Sequence, residues 1–222
     1  TNLIIFLKKL KSAKTWQEAI PWIIDILISK YGECNHGNKK NPLDELFYIL
    51  LSKKTPEKRY RSTYIELSKK YKPWSMLIEA DKDEIECILQ PLGMAKIRSQ
   101  QMIKIAHTLK EDFGRVTLSP IKKMDMTSAK EFLLSLPGVG EKTARCVLMY
   151  SLNHDISPMD AHATRVLKRF GLLPTSIKPG NAHTIVDANI PKGCAKKLHV
   201  SLISHGRKCC KPIKPFCNSC SI

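Results

Sequence analysis

Lys142 is the residue of this chain whose position most favours covalent chemistry. It follows the stretch Leu136-Pro-Gly-Val-Gly-Glu and would lie in the first turn of a new helix. The positive end of a helix dipole and a strongly basic chain both favour loss of its proton. A neutral amine can attack a sugar carbon or an aldehyde and form a Schiff base. Taken alone, such a lysine fits a phosphate-contacting or solvated side chain better, so this interpretation depends on a partner.

A carboxylate eighteen residues downstream, Asp160, supplies that partner. It stands where a helix should begin and can act as the N-cap of that helix. Backbone donors keep a capping carboxylate ionised, which suits it to stabilise an oxocarbenium-like sugar or to deprotonate an amine or water. His162 and Arg165 would follow in the first turns of the same helix, where His162 could equally be a packed core histidine.

The glycines before Lys142 predict an anion site. Gly138 and Gly140 permit a tight turn between two helices, with free backbone N–H groups at the start of the second helix. In a basic chain the expected anion is a DNA phosphate. Ligases and polymerases use such hairpins only to hold the DNA backbone, so the motif indicates DNA contact better than catalysis. An ordinary corner between two helices is the alternative.

The charge of the chain points to a polyanionic partner. Its 222 residues include 37 lysines and arginines against 20 aspartates and glutamates, which gives a formal net charge of +17. The basic residues are spread through the chain and do not form one tail. Nucleic acid is therefore the favoured partner, and a basic face without a specific ligand is the alternative.

The sequence contains no segment that predicts insertion into a membrane. No apolar run approaches the roughly 18 residues that a spanning helix needs. Residues 2–10 are too short and too lysine-rich for a signal peptide. We therefore expect an intracellular protein, in the cytoplasm and nucleoid or in a nucleus. Thr1 in place of a methionine suggests that the chain has lost residues at its start.

Helical periodicity runs through nearly the whole chain, without an alternating strand or a β-hairpin signature. The sequence therefore predicts an all-α fold. Ser128 and Glu131 form a capping-box pattern that predicts where the seventh helix begins. The predicted helices cover residues 2–11, 15–31 (with a kink or a fresh start at Pro21), 42–52, 56–71, 81–91, 95–113, 128–136, 141–153, 160–170, 183–187 and 191–205.

In order and spacing, these motifs resemble the endonuclease III branch of the helix-hairpin-helix DNA glycosylase superfamily. The family pattern LPGVGxKTA is matched at 136–144 and the D-x-H-x-x-R segment at 160–165, with the lysine and the aspartate eighteen residues apart. Residues 41–52 look like the family's NPFELL…LLS helix, and the segment 205–207, His-Gly-Arg, precedes a cysteine cluster. The resemblance extends from about residue 41 to the end of the chain.

The resemblance implies a bifunctional DNA glycosylase and AP lyase of base excision repair. Such an enzyme extrudes a damaged base, here expected to be a pyrimidine, releases it through a lysine Schiff base and cleaves the abasic strand by β-elimination. Lys142 carries over as the attacking amine and Asp160 as the carboxylate that assists it. The first alternative is a monofunctional glycosylase for a mismatched or modified base, such as thymine or methylcytosine opposite guanine. The second is a non-catalytic DNA-binding module.

The family fold implies two helical lobes. Residues 43–154 would form a six-helix barrel that ends in the helix-hairpin-helix motif. Residues 1–42 and 155–222 would form the second lobe, which carries the C-terminal cysteine segment. Double-stranded DNA would lie in the groove between the lobes of a monomer, and its binding should weaken steeply with salt.

Two residues depart from the family where side chains are inserted into the DNA. The family helix ends in Leu-Ser-Ala-Gln, whose glutamine fills the space left by the extruded base, and this chain has Lys54 there. A cation aimed into the duplex would alter recognition of the opposite base, so the family's substrate preference is not carried over. Met94 stands where the family has a second intercalating residue, a leucine, and could unstack a base step or be a buried loop residue.

The last fourteen residues hold four of the eight cysteines, which favours a metal or cluster site over a disulfide framework. Cys210, Cys217 and Cys220 match the first three ligands of the family's [4Fe–4S] cluster, whose pattern is C-x6-C-x2-C-x5-C. The fourth ligand would fall four residues beyond Ile222, and zinc is the alternative occupant. Cys209 is a poor substitute, because adjacent cysteines rarely point at one metal.

Basic side chains surround the cysteine segment. Arg207 precedes it, and Lys211 and Lys214 lie between its cysteines. A cluster that fixes this short loop would present these charges to DNA phosphates, in a structural role. The alternative is that they are only solvated charges.

Overall fold

A computed structural model describes residues 15–220, except for the side chain of residue 179. Across these residues every regular element is a helix, either one of ten α-helices or one of four short 3-10 helices. The all-α prediction is confirmed, and the predicted helix at 2–11 lies outside the described residues. None of the helices described is both long enough and apolar enough to cross a membrane.

The α-helices are numbered here in chain order. They are α1 (Trp16–Tyr31), α2 (Pro42–Ser52), α3 (Glu57–Tyr71), α4 (Lys82–Leu89), α5 (Ala95–Phe113), α6 (Met126–Ser135), α7 (Glu141–Ser151), α8 (Ala161–Arg169), α9 (Pro179–Asn189) and α10 (Ala195–Lys208). The 3-10 helices are Trp74–Ile78, Gln90–Leu92, Ser119–Lys123 and Cys217–Ser219.

These helices belong to two compact lobes. Residues 38–154 form one of them, which contains α2 to α7. The other lobe combines the described residues up to 37 with those from 155 onward, and it contains α1 and α8 to α10.

The central element of the lobe 38–154 is α2. Asn41 caps this helix, because its side chain accepts hydrogen bonds from the backbone N–H groups of Leu43 and Asp44 at 2.9 and 3.1 Å. Every residue from Pro42 to Leu51 is buried, since α3, α5 and α7 all pack against the helix. A helix enclosed in this way must pair its own polar side chains. Asp44 does so by accepting from the indole N–H of Trp74 at 2.6 Å.

The second lobe is built around α1, α8 and α10. Its core is apolar and includes Ile20, Ile23, Leu27, Val166 and Leu202, together with other aliphatic side chains of the same helices. Of the two effects predicted for Pro21, the fresh start does not occur, since α1 continues through this residue, and the kink stays a prediction.

Three predicted helix starts are wrong. The helices predicted to begin near 183 and at 191 begin at Pro179 and Ala195, and the third error is at a capping box. The capping-box pattern of Ser128 and Glu131 predicts that the helix begins after Ser128, but α6 begins at Met126. The carboxylate of Asp125 accepts from the backbone N–H groups of Thr127 and Ser128 at 2.9 and 3.0 Å. Asp125 therefore caps the helix three residues earlier, and the hydroxyl of Ser128 donates to the same carboxylate at 2.6 Å.

Candidate functional site

A glycine hairpin joins α6 to α7, as the sequence predicts. Gly138 has a φ of +75°, where side chains are strained, and a Cβ there would collide with the side chain of Gln101. Gly140 is the N-cap residue of α7, and its carbonyl accepts from the N–H groups of Thr143 and Ala144 at 2.9 and 3.0 Å. The first N–H groups of α7 point out of the helix end, which is the arrangement that binds anions.

Lys142 lies in the first turn of α7 and is half-buried. The charge of Lys142 repels that of a second lysine, Lys53, at the end of α2. The Lys53 ammonium donates to the carbonyl oxygen of Gly138 at 2.6 Å, which holds it on the hairpin. Burial lowers the pKa of Lys53, and the charges of Lys142 and Arg98 lower it further. Because repulsion between two cations acts on both, Lys53 also favours the neutral amine of Lys142.

Glu45 is the acidic residue that acts on the charge of Lys142 within the same lobe. Its side chain is 0% exposed, and its carboxylate accepts from the Asn38 amide at 2.5 Å and from the backbone N–H of Lys39 at 2.6 Å. Burial raises the pKa of Glu45 to about 7, although these hydrogen bonds and the charge of Lys142 oppose the rise. The carboxyl group can therefore hold or release a proton near neutral pH.

Asp160 is the N-cap residue of α8, as predicted. Its carboxylate accepts from the backbone N–H of Ala163 at 2.8 Å, and the side chain is half-buried. Asp160 belongs to the other lobe from Lys142, so their joint action stays a prediction.

His162 and Arg165 connect α8 to the end of α10. Arg165 donates to the ring Nδ1 of His162 at 3.1 Å, to the carbonyl of Gly206 at 2.9 Å and to that of Cys210 at 2.9 Å. Burial lowers the pKa of His162, and Arg165 adds to this effect while Asp160 opposes it. A Cβ at Gly206 would stand 2.9 Å from the Cβ of His162, which explains why a glycine lies between His205 and Arg207. The guanidinium of Arg165 is thus engaged in protein contacts.

The two predicted intercalating residues are both exposed. Met94 has 48% of its side chain accessible, which excludes the alternative of a buried loop residue. Lys54 is also exposed. Lys54 and Met94 have φ values of +52° and +53°, which are uncommon for residues other than glycine. Their backbones are therefore held by neighbouring contacts rather than by their own preference.

The structure gathers a different set of metal-binding side chains from the one that the cysteine spacing predicts. The ligand atoms of His205, Cys209 and Cys220 lie within 4.8 Å of one another. Of the three predicted ligands, only Cys220 belongs to this group. The Cys210 thiol accepts from Arg169 at 3.2 Å, and Cys217 is exposed.

The chemistry of this group can be compared with the two predicted occupants. A [4Fe–4S] cluster needs four thiolates. In the described part of the chain the group offers two thiols and an imidazole, which does not fit a cluster but suits zinc. Burial raises the pKa of Cys209 to about 11, with Cys220 adding to the rise, so the Cys209 thiol stays protonated at neutral pH until a metal displaces the proton.

The three basic residues of the tail differ in their surroundings. Arg207 is half-buried, with its guanidinium 3.4 Å from the ring of His36. Lys211 and Lys214 are exposed, and the ammonium of Lys211 lies 4.6 Å from the centre of the Phe216 ring. The two lysines are available to contact phosphates.

Three residues of the site were missed in the sequence, namely Glu45, Lys53 and Arg98. Glu45 carried a signal, because an acidic residue within the apolar stretch of α2 must be buried and paired. Lys53 and Arg98 carried none, since their partners are backbone carbonyls of other segments.

Several curated proteins are similar to the chain, although no family model matches it. A protein of Arabidopsis thaliana with the provisional name of a DNA glycosylase is 28% identical over 79% of this chain, which spans 60% of that protein. Endonuclease III of Thermotoga maritima is 25% identical over 84% of this chain and 82% of its own length. The chain thus covers less than two thirds of the plant relative and most of the bacterial one.

Solved structures share the fold. A trapped covalent intermediate of endonuclease III with DNA superposes with a TM-score of 0.80, at 23% identity, over 93% of this chain and 92% of that one. A thermostable thymine-DNA glycosylase superposes with a TM-score of 0.74, at 21% identity, over 94% of each chain. The sequence relatives make the chain a homologue of proteins named DNA glycosylase and endonuclease III, and the solved structures show that it shares their fold.

Proposed function

We propose that the chain is a bifunctional DNA glycosylase and AP lyase with Lys142 as its nucleophile. The observation that carries the proposal is the placement of Lys142. It follows the hairpin directly, in the first turn of α7, beside a second cation that favours its neutral form. The similarity to endonuclease III supports the same conclusion.

The proposed reaction uses the two residues in sequence. The neutral amine of Lys142 forms a bond to the sugar C1′ as the glycosidic bond breaks, and the base leaves with a proton. The sugar ring opens to give a Schiff base, loss of a C2′ proton then expels the 3′ phosphate, and water releases the lysine. Asp160 stabilises the positive charge that develops on the sugar and assists proton removal from the amine.

The backbone amides of the hairpin would bind a DNA phosphate and orient the strand. Gly138 and Gly140 supply the turn, and Lys54 and Met94 would enter the duplex. In the other lobe, Lys211 and Lys214 have the exposure that phosphate contact requires, and we propose that the chain binds double-stranded DNA as a monomer. Arg165 and His162 would act mainly by fixing the start of α8 against the end of α10, whereas Arg207 would hold the segment at His36.

A borohydride trapping assay tests the lyase proposal. Duplexes with a range of damaged bases, each opposite all four normal bases, would be incubated with the chain and sodium borohydride. We expect a covalent adduct on the abasic-site duplex and on at least one damaged base. Lys142→Gln should form no adduct. The control is Lys104→Gln, which changes an exposed lysine of α5 and should behave like the parent. Failure of the parent to form any adduct would overturn the lyase assignment.

A monofunctional glycosylase for a mismatched base is the second candidate. Two observations favour it: Lys54 stands where the family has a glutamine, and a thymine-DNA glycosylase shares the fold. This candidate predicts release of thymine or a methylated cytosine opposite guanine without a borohydride adduct. Duplex binding with neither base release nor an adduct on any substrate would instead indicate a non-catalytic module.

We also propose that the cysteine segment after α10 holds a structural metal centre. The spacing of Cys210, Cys217 and Cys220 supports a [4Fe–4S] cluster, and the gathered group of His205, Cys209 and Cys220 supports zinc. Iron and zinc analysis of the purified protein decides between them. Cys210→Ser should remove iron if the cluster is present, and Cys209→Ser should remove zinc if the gathered group binds it. A protein free of both metals would contradict the proposal.

A further inference from the structure

Arg98, on α5, is a buried cation bound to two separate turns. Only 4% of the residue is exposed. Its guanidinium donates to the carbonyls of Leu50 and Lys53 at 2.6 and 2.7 Å, which lie at the end of α2. It also donates to the carbonyl of Gly93 at 3.0 Å, in the turn before α5. One side chain thereby connects two segments that lie some forty residues apart in the sequence.

The segments that Arg98 connects are those that carry the intercalating residues. Lys54 directly follows Lys53, whose carbonyl Arg98 binds, and Met94 directly follows Gly93. A fourth hydrogen bond, 3.1 Å long, runs from Arg98 to the hydroxyl of Thr55 on the other side of Lys54. Arg98 therefore contacts the residues on both sides of Lys54, namely the backbone of Lys53 and the side chain of Thr55, and the backbone immediately before Met94.

These contacts maintain an unfavourable backbone conformation. Lys54 and Met94 both have a positive φ, which costs free energy for residues with a side chain and persists only when the surroundings impose it. The hydroxyl of Thr55 reinforces the connection, since it donates to the carbonyl of Lys53 at 2.9 Å and approaches that of Leu92 at 3.5 Å. The two exposed tips are thus fixed with respect to each other.

A purely structural role for Arg98 would need fewer hydrogen bonds than these. The last carbonyls of α2 lack partners within the helix, and a buried arginine could satisfy them without contacting the turn at Gly93. The planar guanidinium instead uses its fork of donors to join the two turns, which an ammonium group cannot do with one nitrogen.

We propose that Arg98 is a positioning residue that holds Lys54 and Met94 together as a two-residue wedge for extruding the target nucleotide. The inference rests on the proposed function, since it assigns these residues to the extrusion step. A rigid wedge enters the duplex without first losing conformational entropy, so base extrusion is the step that Arg98 accelerates.

The test compares a paired with an unpaired abasic site. The rate of borohydride adduct formation is measured on an abasic site within a full duplex and on the same site in an open single-stranded bubble, where no wedge is needed. For Arg98→Lys we expect the duplex rate to fall by about tenfold or more relative to the parent, with the bubble rate unchanged. Arg145→Lys is the matched control, because Arg145 is also a buried arginine of this lobe and its guanidinium donates to Glu141, one turn away on its own helix.

Two further measurements make the result specific. Adding Arg98→Lys to the double variant Lys54→Ala and Met94→Ala should cause no further loss on the duplex, because the wedge is already absent. 2-Aminopurine placed beside the target should brighten when the parent binds the duplex and brighten less with Arg98→Lys.

The outcomes separate this inference from the proposed function. An equal loss on duplex and bubble, or no loss on either, would overturn the role of Arg98. Additive losses in the combined variant would also overturn it. If the parent forms no adduct on the bubble, the lyase proposal fails, while the 2-aminopurine signal still tests the wedge. No brightening with the parent would overturn the wedge itself.

Discussion

The proposed nucleophile and the proposed carboxylate lie in contrasting surroundings. Two ionisable neighbours of Lys142 have displaced pKa values: burial raises the pKa of Glu45 to about 7, and partial burial lowers that of Lys53. Asp160 instead makes a local contact, accepting the N–H of Ala163 three residues along its own helix. The amine is thus adjusted by charges that the fold brings together, whereas the carboxylate is held by its own segment.

This difference has a consequence for mutational sensitivity. A carboxylate that caps its own helix keeps that contact when distant side chains change, because the donor is a backbone N–H. The pKa of an amine beside side-chain charges changes when any of those charges is removed. The charges near Lys142 lie on α2 and at its end. The reactivity of Lys142 should therefore depend on residues that never contact the DNA.

The largest effect is expected from Asp160→Asn. Asparagine caps helices about as well as aspartate, so α8 and the thermal stability of the protein should change little. Loss of the charge should lower single-turnover base release by about a thousandfold. Duplex affinity, measured by fluorescence anisotropy, should stay within a few-fold of the parent. A variant that keeps most of its base release would show that Asp160 only caps the helix, and the contrast with Lys142 would disappear.

Glu45→Gln should change how stability depends on pH. The folded carboxyl keeps its proton up to about pH 7, whereas its ordinary pKa is 4.5. The folded state therefore binds more protons between these values, and the free energy of unfolding falls as the pH rises through them. The decline should amount to about 3 kcal/mol, and Glu45→Gln should abolish it.

Urea unfolding at a series of pH values between 4.5 and 7.5 measures that decline. The slope is the readout, because the loss of a hydrogen-bond acceptor in the variant shifts all points equally. Glu66→Gln, at an exposed position of α3, is the control and should keep the parent slope. A parent whose stability is constant over this interval would contradict the electrostatic account of the surroundings of Lys142.

Lys53→Met should have the smallest effect and reports on the charge beside the nucleophile. Removing the neighbouring cation makes protonation of Lys142 easier, so the pH at which adduct formation is half-maximal should rise by about 0.5–1 unit. Lys53→Arg keeps the charge and should keep the parent profile. If both variants shift the pH profile equally, the profile depends on the hydrogen bond from Lys53 to Gly138 and not on the charge of Lys53.

Features of the site that depend on adjacent residues could be predicted from the sequence. The turn at Gly138, the cap at Asp160 and the helical character of the flanking segments follow from neighbours a few positions away. The capping box at Ser128 failed for a related reason, since Asp125 offered a stronger acceptor three residues upstream. Sequence rules of this kind identify residues that could cap a helix. Where two such residues lie close together, the stronger acceptor caps it.

Features that depend on distant partners could not be predicted. Arg98 looks like any basic residue of an amphipathic helix, because its carbonyl partners belong to segments placed by tertiary packing. The spacing of the thiols favours Cys210 and Cys217, whereas the backbone after α10 brings Cys209 and Cys220 to His205, a grouping that spacing did not indicate; which set binds a metal stays a prediction. Spacing shows which residues could bind one metal ion. The tertiary structure determines which of their side chains lie close together.

Identification of the residue joined to DNA after borohydride reduction tests the central claim most directly. The chain would be trapped on an abasic-site duplex, digested with a protease, and the peptide that carries the deoxyribose remnant located by mass spectrometry. We predict that the remnant is on the Nζ of Lys142 and that Asp160→Asn reduces its yield. A remnant on Lys53, on Lys54 or on the N-terminal amine in the parent would contradict the assignment.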